Sequence, residues 1–144
     1  MSAAKAYFLD TNILVYADDS LDAWKHKRSE SLILDGIEKG LSRVSAQVLG
    51  EYFVTITRKI AVPLDAETAR RRVELLSIMP VLPIDARLVS TAISTMRRYG
   101  ISYWDALIVS AAAAAGCSVL YTEDLNRGQE YLGVRVVDPY REEE

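Results

Sequence analysis

Four acidic residues occupy positions from which they could together hold a metal ion. Asp10 and Asp124 follow apolar runs that are typical of strands, while Glu51 and Asp105 lie in the opening turns of helix-like runs. In an open parallel α/β sheet, ligands bind just beyond the carboxyl ends of the strands. Carboxylates that meet there repel one another unless a cation holds them. The set therefore predicts a hard divalent metal and chemistry on phosphate.

Magnesium suits such a set because it takes oxygen ligands at about 2.0–2.1 Å and keeps several waters. It can lower the pKa of a bound water and polarise a phosphoryl oxygen, and two ions about 3.5–4 Å apart can share these tasks. The sequence has no Cys/His cluster for zinc, and its single histidine, His26, lies in the basic run KHKR. A histidine acid–base pair is therefore not expected. The sequence also contains no Walker-type or GxGxxG phosphate loop.

Each acidic residue also has a purely structural interpretation. Asp10 could begin the turn or cap the short helix after its strand, and Asp124 could close a strand as a polar turn residue. Glu51 lies at the edge of its helix's apolar stripe, where glutamates are usually solvated. Asp85, which also ends a strand and opens a helix, is interpreted as an N-cap. Position alone thus proves little, and the hypothesis depends on the whole set.

Asp105 has the strongest structural alternative, because Ser102 and Asp105 fit a capping box. The two roles are compatible, since one carboxylate oxygen can cap while the other meets a metal. Two neutral residues could complete the site: Asn12 could orient a carboxylate, and Thr122 could offer its hydroxyl to a metal-bound water or a phosphate.

The composition indicates one soluble domain, predicted at residues 1–140 with a frayed tail at 141–144. The chain has 144 residues, half of them hydrophobic, and this length buries a sufficient core without a disulfide. Cys117 is predicted to be a small buried hydrophobe. The first residues do not resemble a signal peptide, and the longest apolar run, 106–115, is too short to span a bilayer. We expect a cytoplasmic protein without membrane association.

The charge distribution leaves a nucleic-acid partner open. The net charge of −3 argues against one at first, but the distribution matters more than the sum. Four basic clusters are either solvated helix faces or an RNA-binding rim around an acidic centre. They lie at residues 25–28, 58–59, 70–72 and 97–98.

The apolar pattern alternates between strands and helices, which implies a mostly parallel sheet covered on both faces. Gly40 and Gly116 are predicted to end helices, and Ser45 and Asp65 to begin them. The predicted strands are residues 6–9, 41–45, 81–84, 119–122 and 134–137. The predicted helices are residues 12–17, 21–39, 46–60, 65–77, 86–99 and 103–115.

With these residues in this order, the sequence resembles PIN domains, and specifically the VapC-type toxins of prokaryotic toxin–antitoxin pairs. The resemblance covers essentially the whole chain, and its motifs run in family order. The chain ends in Asp-Pro-Tyr where the family has Asn-Pro-Phe, a departure that concerns packing rather than chemistry. The matching motifs are Asp10-Thr11-Asn12 after a strand, Glu51 on the next long helix, Trp104-Asp105 on a later helix, and Thr122-Glu123-Asp124 after another strand.

The resemblance implies a three-layer α/β/α sandwich with a central, mostly parallel sheet. It also implies an endoribonuclease that uses Mg²⁺, with Mn²⁺ as a substitute. Asp10 and Asp105 would be direct metal ligands, and Glu51 and Asp124 would bind metal directly or through water. Asn12 would order the site together with Thr122. The family further implies an RNA substrate, a homodimer and a cognate antitoxin protein.

Two alternatives remain open at this stage. A PIN-like domain could bind RNA without cutting it, and nothing in the acidic set excludes this. A receiver-like signalling domain shares the size and an acidic Mg²⁺ pocket, but it also needs a phosphoacceptor Asp on the middle strand and a Lys after the last strand. The region after the predicted strand 119–122 offers Arg127 and no lysine, and no acidic pair precedes Asp10. A phosphatase of the haloacid dehalogenase type would need Asp-x-Asp-x-Thr, which this chain lacks.

Overall fold

The computed structural model describes residues 5–141, and a single six-stranded sheet organises that part of the chain. Its strands stand in the order β3-β2-β1-β4-β6-β5. The strands are β1 (Tyr7–Leu9), β2 (Ser42–Ser45), β3 (Val81–Leu82), β4 (Val119–Tyr121), β5 (Glu130–Tyr131) and β6 (Val134–Val137).

The sheet is parallel except at one edge. β1 lies at the centre, paired in parallel with β2 on one side and with β4 on the other, and β5 runs antiparallel to β6. The chain therefore winds outward in two directions from the β1–β4 pair. This is the topological switch point, beyond whose carboxyl ends ligands bind in open α/β sheets. The predicted mostly parallel sheet is confirmed.

Strand β5 was not predicted from the sequence. It is two residues long, and only Tyr131 of the pair is buried, so it shows no apolar run. A tight turn at Leu132 and Gly133, both with positive φ, folds it back onto β6. Strand β5 therefore forms because the turn places it beside β6, and not because its residues favour a strand.

Six helices connect the strands within the described residues. The predicted caps are present: Ser45 accepts from the backbone N–H of Val48 at 3.3 Å, and Asp85 from that of Leu88 at 2.9 Å. The helices are α1 (Thr11–Tyr16), α2 (Ala23–Lys39), α3 (Ala46–Arg58), α4 (Ala66–Leu76), α5 (Ala86–Tyr99) and α6 (Tyr103–Ala114).

Helices cover both faces of the sheet, which gives the predicted three-layer α/β/α sandwich. Helix α6 packs on α5 and on strands β2, β4 and β6. Its residues 106–112 are all buried, which accounts for a segment that is apolar at every position except Ser110. The sheet supplies the opposite side of the core through Phe8, Val44 and Leu120, none of which is exposed.

Cys117 is buried, as predicted, and burial raises the pKa of its thiol to about 11. Of the predicted frayed tail at 141–144, only Arg141 lies inside the described residues, where its guanidinium is 3.4 Å from Asp138. No helix between residues 5 and 141 combines the length and hydropathy needed to cross a bilayer.

Candidate functional site

Asp10 lies at the carboxyl end of β1, where the strand passes directly into α1. Its backbone N–H donates to the carbonyl of Tyr121 at 3.1 Å, which continues the β1–β4 pairing. The carboxylate caps α1 by accepting from the Thr11 N–H at 2.7 Å, and its other oxygen accepts from the Thr122 hydroxyl at 2.7 Å. Only 8% of Asp10 is exposed. The structural interpretation of Asp10 as a helix cap is confirmed, and its role in a metal site stays a prediction.

Burial raises the pKa of Asp10 from 3.8 to about 6. The hydrogen bonds from Thr122 and Thr11 oppose that shift, whereas the negative charges of Asp124 and Glu51 add to it. Three of the four predicted carboxylates are thus electrostatically coupled. A cation bound among them would favour the ionised form of Asp10.

Thr122 connects Asp10 to Asp124. Its hydroxyl donates to Asp10 and accepts both from the Asp124 backbone N–H at 3.1 Å and from the Asn12 amide at 3.3 Å. The Asn12 amide also donates to the Asp124 carboxylate at 2.9 Å. Thr122 is fully buried and its hydroxyl uses its one donor and both lone pairs. Asp10, Asn12, Thr122 and Asp124 therefore form one continuous hydrogen-bonded network, and their role as site residues stays a prediction.

Glu51 is exposed on α3 and is linked to the network by two neighbouring side chains. The Thr11 hydroxyl lies 3.4 Å from one of its oxygens, and the Gln47 amide donates to the other at 2.8 Å. The same Gln47 nitrogen lies 3.3 Å from the Trp104 carbonyl at the start of α6. Gln47 was not among the predicted site residues. Its spacing of four positions from Glu51 on one helix face was the available signal.

Asp105 occupies the first turn of α6, next to the carbonyl that Gln47 contacts. Its backbone N–H donates to the Ser102 hydroxyl at 3.1 Å, so half of the predicted capping box is formed. No hydrogen bond from residues 5–141 reaches the Asp105 carboxylate. The structure therefore joins Asp10, Glu51 and Asp124 through bonded neighbours, and brings Asp105 near them only by way of Gln47 and Trp104.

The described residues contain no group of three or more Asp, Glu, His or Cys side chains placed as ready-made ligands of one ion. Neutral donors hydrogen-bond the carboxylates instead: the Thr11 hydroxyl and the Gln47 amide contact Glu51, and the Asn12 amide contacts Asp124. The donor chemistry nevertheless fits a hard cation held partly through water. The side chains at this site all offer oxygen atoms as ligands, and the buried amide oxygens of Asn12 and Gln47 have no hydrogen-bond partner.

An open cleft of about 680 Å³ adjoins the acidic residues between α1 and α3. Its polar wall carries two of the predicted site carboxylates, and a lysine stands at its far end. The lining residues are Thr11, Asn12, Val15, Tyr16, Gly50, Glu51, Val54, Thr55, Lys59 and Asp124.

The predicted basic rim is only partly available for a nucleic acid. Arg70 pairs with Glu67 and Glu74 on its own helix, and Arg72 pairs with Asp18 at 2.6 Å. These arginines therefore already have acidic partners within the protein.

Lys25 is held in the same way, by Glu123 at 2.9 Å. Its ammonium also stacks over the rings of Tyr16 and Tyr140. By contrast, Lys59 lines the cleft and forms no ion pair with any of residues 5–141. The lysine at the cleft is therefore the cation best placed to meet a ligand there.

The model of the PIN domain family matches residues 7–127. The resemblance predicted from the motifs is thereby confirmed, and all the predicted site residues fall inside the matched segment. The comparison with curated proteins found no match.

Several solved structures share the fold. VapC20 of Mycobacterium tuberculosis, a toxin that cleaves the sarcin-ricin loop, matches with a TM-score of 0.66 and 20% identity over 83% of this chain and 90% of that one. A toxin–antitoxin complex from Klebsiella pneumoniae has a TM-score of 0.66 and 19% identity, covering 94% and 98%. DNA-bound VapBC from Salmonella typhimurium has a TM-score of 0.63 and 20% identity, over 94% of this chain and 99% of that one. At these identities the matches establish the fold.

Proposed function

The chain belongs to the PIN domain family, and on that premise we propose that it is a metal-dependent endoribonuclease. The observation that carries the proposal is the buried Asp10 carboxylate at the switch point of the sheet. It is bonded through Thr122 to the segment that carries Asp124, and it is coupled in charge to Asp124 and Glu51. A purely structural strand end does not need three coupled carboxylates.

In this proposal, Mg²⁺ or Mn²⁺ is held by Asp10 and Asp105, with Glu51 and Asp124 binding directly or through water. When bound, the metal would lower the pKa of a water ligand and polarise a phosphoryl oxygen of the substrate. The metal assignment rests on the all-oxygen character of the site and on the unpaired amide oxygens of Asn12 and Gln47.

The other polar residues orient the carboxylates. Thr122 fixes the rotation of the Asp10 side chain, because its hydroxyl bonds one carboxylate oxygen while the Thr11 N–H bonds the other. Asn12 holds Asp124, and Gln47 holds Glu51. Preorganised side chains of this kind reduce the cost of assembling a reactive geometry.

We further propose that the protein is the toxin of a toxin–antitoxin module in the cytoplasm. The complexes from Klebsiella pneumoniae and Salmonella typhimurium support an antitoxin partner, since their toxins share this fold. A homodimer is part of the same proposal. Light scattering of the purified protein and co-purification with the product of the neighbouring reading frame test these two assemblies.

The decisive experiment is incubation of the purified protein with RNA in Mg²⁺ and in EDTA. Cleavage is expected only with the metal, and Asp10→Asn or Asp105→Asn is expected to abolish it while leaving the fold intact. Asp85→Asn is the matched control, because this aspartate also begins a helix after a strand but caps only α5. An undiminished rate in a folded site variant would remove that residue from its role.

The same experiment distinguishes the alternative of an RNA-binding domain that does not cut. RNA that stays uncut in Mg²⁺ while it forms a stable complex with the protein would favour that alternative. The receiver-like alternative does not survive the family assignment.

A further inference from the structure

Gly50 occupies the interior of α3 without a conformational or packing reason. Glycine within a helix costs roughly 0.5–1 kcal/mol relative to alanine. Residues on both sides of Gly50 are helical, and its φ is not positive. A Cβ built at this position would meet no atom within 4 Å. An alanine would therefore fit here and would favour the helix.

The other glycines each have a structural reason. All seven glycines of the chain lie within the described residues. Gly36 packs so closely on β2 that a Cβ would stand 2.5 Å from that of Ser42. Five adopt positive φ, a conformation that side chains disfavour, namely Gly40, Gly100, Gly116, Gly128 and Gly133.

The space above Gly50 is part of the cleft beside the acidic site. Gly50 precedes Glu51 directly, and both line the cleft together with Val54, one turn further along α3. Val54 is 43% exposed, so the cleft has an apolar wall next to its carboxylates. A side chain at position 50 would project into this volume.

Lys59 closes the cleft at the end of α3. It lies eight residues after Glu51, which corresponds to about 12 Å along the helix axis. This separation places a positive charge beyond the carboxylates, in reach of a different phosphate from the one that meets the metal. Along α3, the cleft is thus lined first by the carboxylate of Glu51, then by the apolar wall at Val54, and finally by the ammonium of Lys59.

We propose that the space above Gly50 receives one nucleotide of the bound RNA, adjacent to the phosphate at the acidic centre. Val54 contacts the base or sugar of that nucleotide, and Lys59 contacts a flanking phosphate. Gly50 is then a size-determining residue, since any larger side chain reduces the room for the nucleotide. This inference rests on the proposed function, because it assigns the same site an RNA substrate.

The order of charges favours RNA over a protein segment in this cleft. A nucleic acid strand presents regularly spaced phosphates, which match one metal-bearing centre and one separate lysine. An apolar peptide would bury Val15 and Val54 but would leave the carboxylates of Glu51 and Asp124 without counterions. A protein segment in the cleft is therefore the alternative that the experiment must distinguish from RNA.

The test compares Gly50→Leu with Gly50→Ala and with Ser90→Leu. Ser90→Leu adds the same side chain to an exposed position of α5 that does not line the cleft. Binding is measured by fluorescence anisotropy with a fluorescein-labelled 20-nucleotide RNA of random sequence, at low salt in Ca²⁺, a hard cation that takes oxygen ligands. Gel electrophoresis of the same samples verifies that the RNA stays intact. Thermal unfolding of each variant is measured in parallel.

Gly50→Leu is expected to weaken RNA binding tenfold or more without lowering the melting temperature, while Ser90→Leu binds as wild type. Gly50→Ala is expected to melt at a higher temperature than wild type and to lose less affinity than Gly50→Leu. Lys59→Met is expected to reduce the salt dependence of binding by about one phosphate contact.

RNA affinity of Gly50→Leu within twofold of wild type would overturn the inference and leave a protein segment as the occupant of the cleft. An absence of RNA binding by the wild-type protein would overturn it as well. The proposed function fails separately, if the wild type binds RNA and Gly50→Leu weakens that binding but Mg²⁺ never produces cleavage.

Discussion

Thr122 donates a hydrogen bond to Asp10 at 2.7 Å, across 112 positions of the sequence. The bond joins the ends of two adjacent parallel strands, β1 and β4. Because the same hydroxyl also accepts from Asn12 and from the Asp124 backbone, one buried oxygen fixes the relative positions of two carboxylates.

Replacement of that hydroxyl tests its part in the site. Thr122→Val keeps the shape but leaves buried donors unsatisfied, which typically costs about 1–3 kcal/mol. It also removes a hydrogen bond that lowers the pKa of Asp10, so that pKa should rise further. Urea denaturation in EDTA measures the first effect. Thr122→Ser retains the hydroxyl and should lose only the contribution of one buried methyl group, about 0.8 kcal/mol. A Thr122→Val variant as stable as wild type would show that the hydrogen bonds of the hydroxyl do not contribute.

The raised pKa of Asp10 predicts a pH-dependent stability of the metal-free protein. Between pH 3.8 and 6 the folded state binds more protons at Asp10 than the unfolded state, so stability falls as pH rises through this window. Asp10→Asn cannot ionise and lacks this contribution.

The difference in unfolding free energy between Asp10→Asn and wild type should therefore shift in favour of the variant, by about 2 kcal/mol from pH 4 to pH 7.5. Chemical denaturation in EDTA at several pH values measures this shift. A pH-independent difference would show that folding leaves the pKa of Asp10 unchanged.

Gln47 is predicted to act on the metal through Glu51. Loss of a group that orients a metal-binding side chain commonly costs 10–100-fold in affinity. Gln47→Leu should therefore weaken Mn²⁺ binding, measured by calorimetry, by about tenfold. Gln47→Glu should strengthen it, because it adds a carboxylate at the centre. Unchanged Mn²⁺ affinity in both variants would limit Gln47 to packing.

The Lys25–Glu123 pair should contribute to stability, whereas the pairs of Arg70 should not. Lys25 and Glu123 are more than two-thirds buried, and the ammonium also contacts two aromatic rings. Lys25→Met should therefore lower the unfolding free energy by about 1 kcal/mol.

Arg70→Met serves as the control, because Arg70 and both of its partners are at least half exposed. Solvent screens such pairs, and we expect no measurable change in its denaturation midpoint. Equal effects of the two substitutions would contradict the importance of burial.

Cys117 should resist alkylation in the native protein. Its thiol is buried and its pKa is raised to about 11, so little thiolate exists at pH 8. Iodoacetamide at pH 8 should label the protein at least tenfold faster in denaturant than in buffer, as read by mass spectrometry. Rapid native labelling would indicate local opening around β4.

The sequence predicted the elements that carry long periodic patterns and the caps that begin them. Ser45, Asp65 and Asp85 accept the expected backbone N–H groups, because a cap depends only on its next three residues. The two-residue strand β5 has no such local signal, since it depends on the turn at Leu132 and on pairing with β6.

The site was predictable only to the level of its residue types. Motifs identified Asp10, Glu51, Asp105 and Asp124, but their hydrogen bonds depend on distances between elements that are far apart in sequence. The arginines of the 70–72 run show the same limit, because the partner of Arg72 is Asp18, 54 positions away. Charge counts cannot distinguish a cation that binds a ligand from one that stabilises the fold.

The central place of β1 in the sheet determines when the acidic centre can exist. The segment that bears Asp10 is synthesised early, but its neighbour β4 and the Thr122 hydroxyl follow more than a hundred residues later. A nascent chain released before that point carries the first carboxylate without the groups that orient it. Under the proposed function, RNA cleavage therefore requires that translation has passed β4.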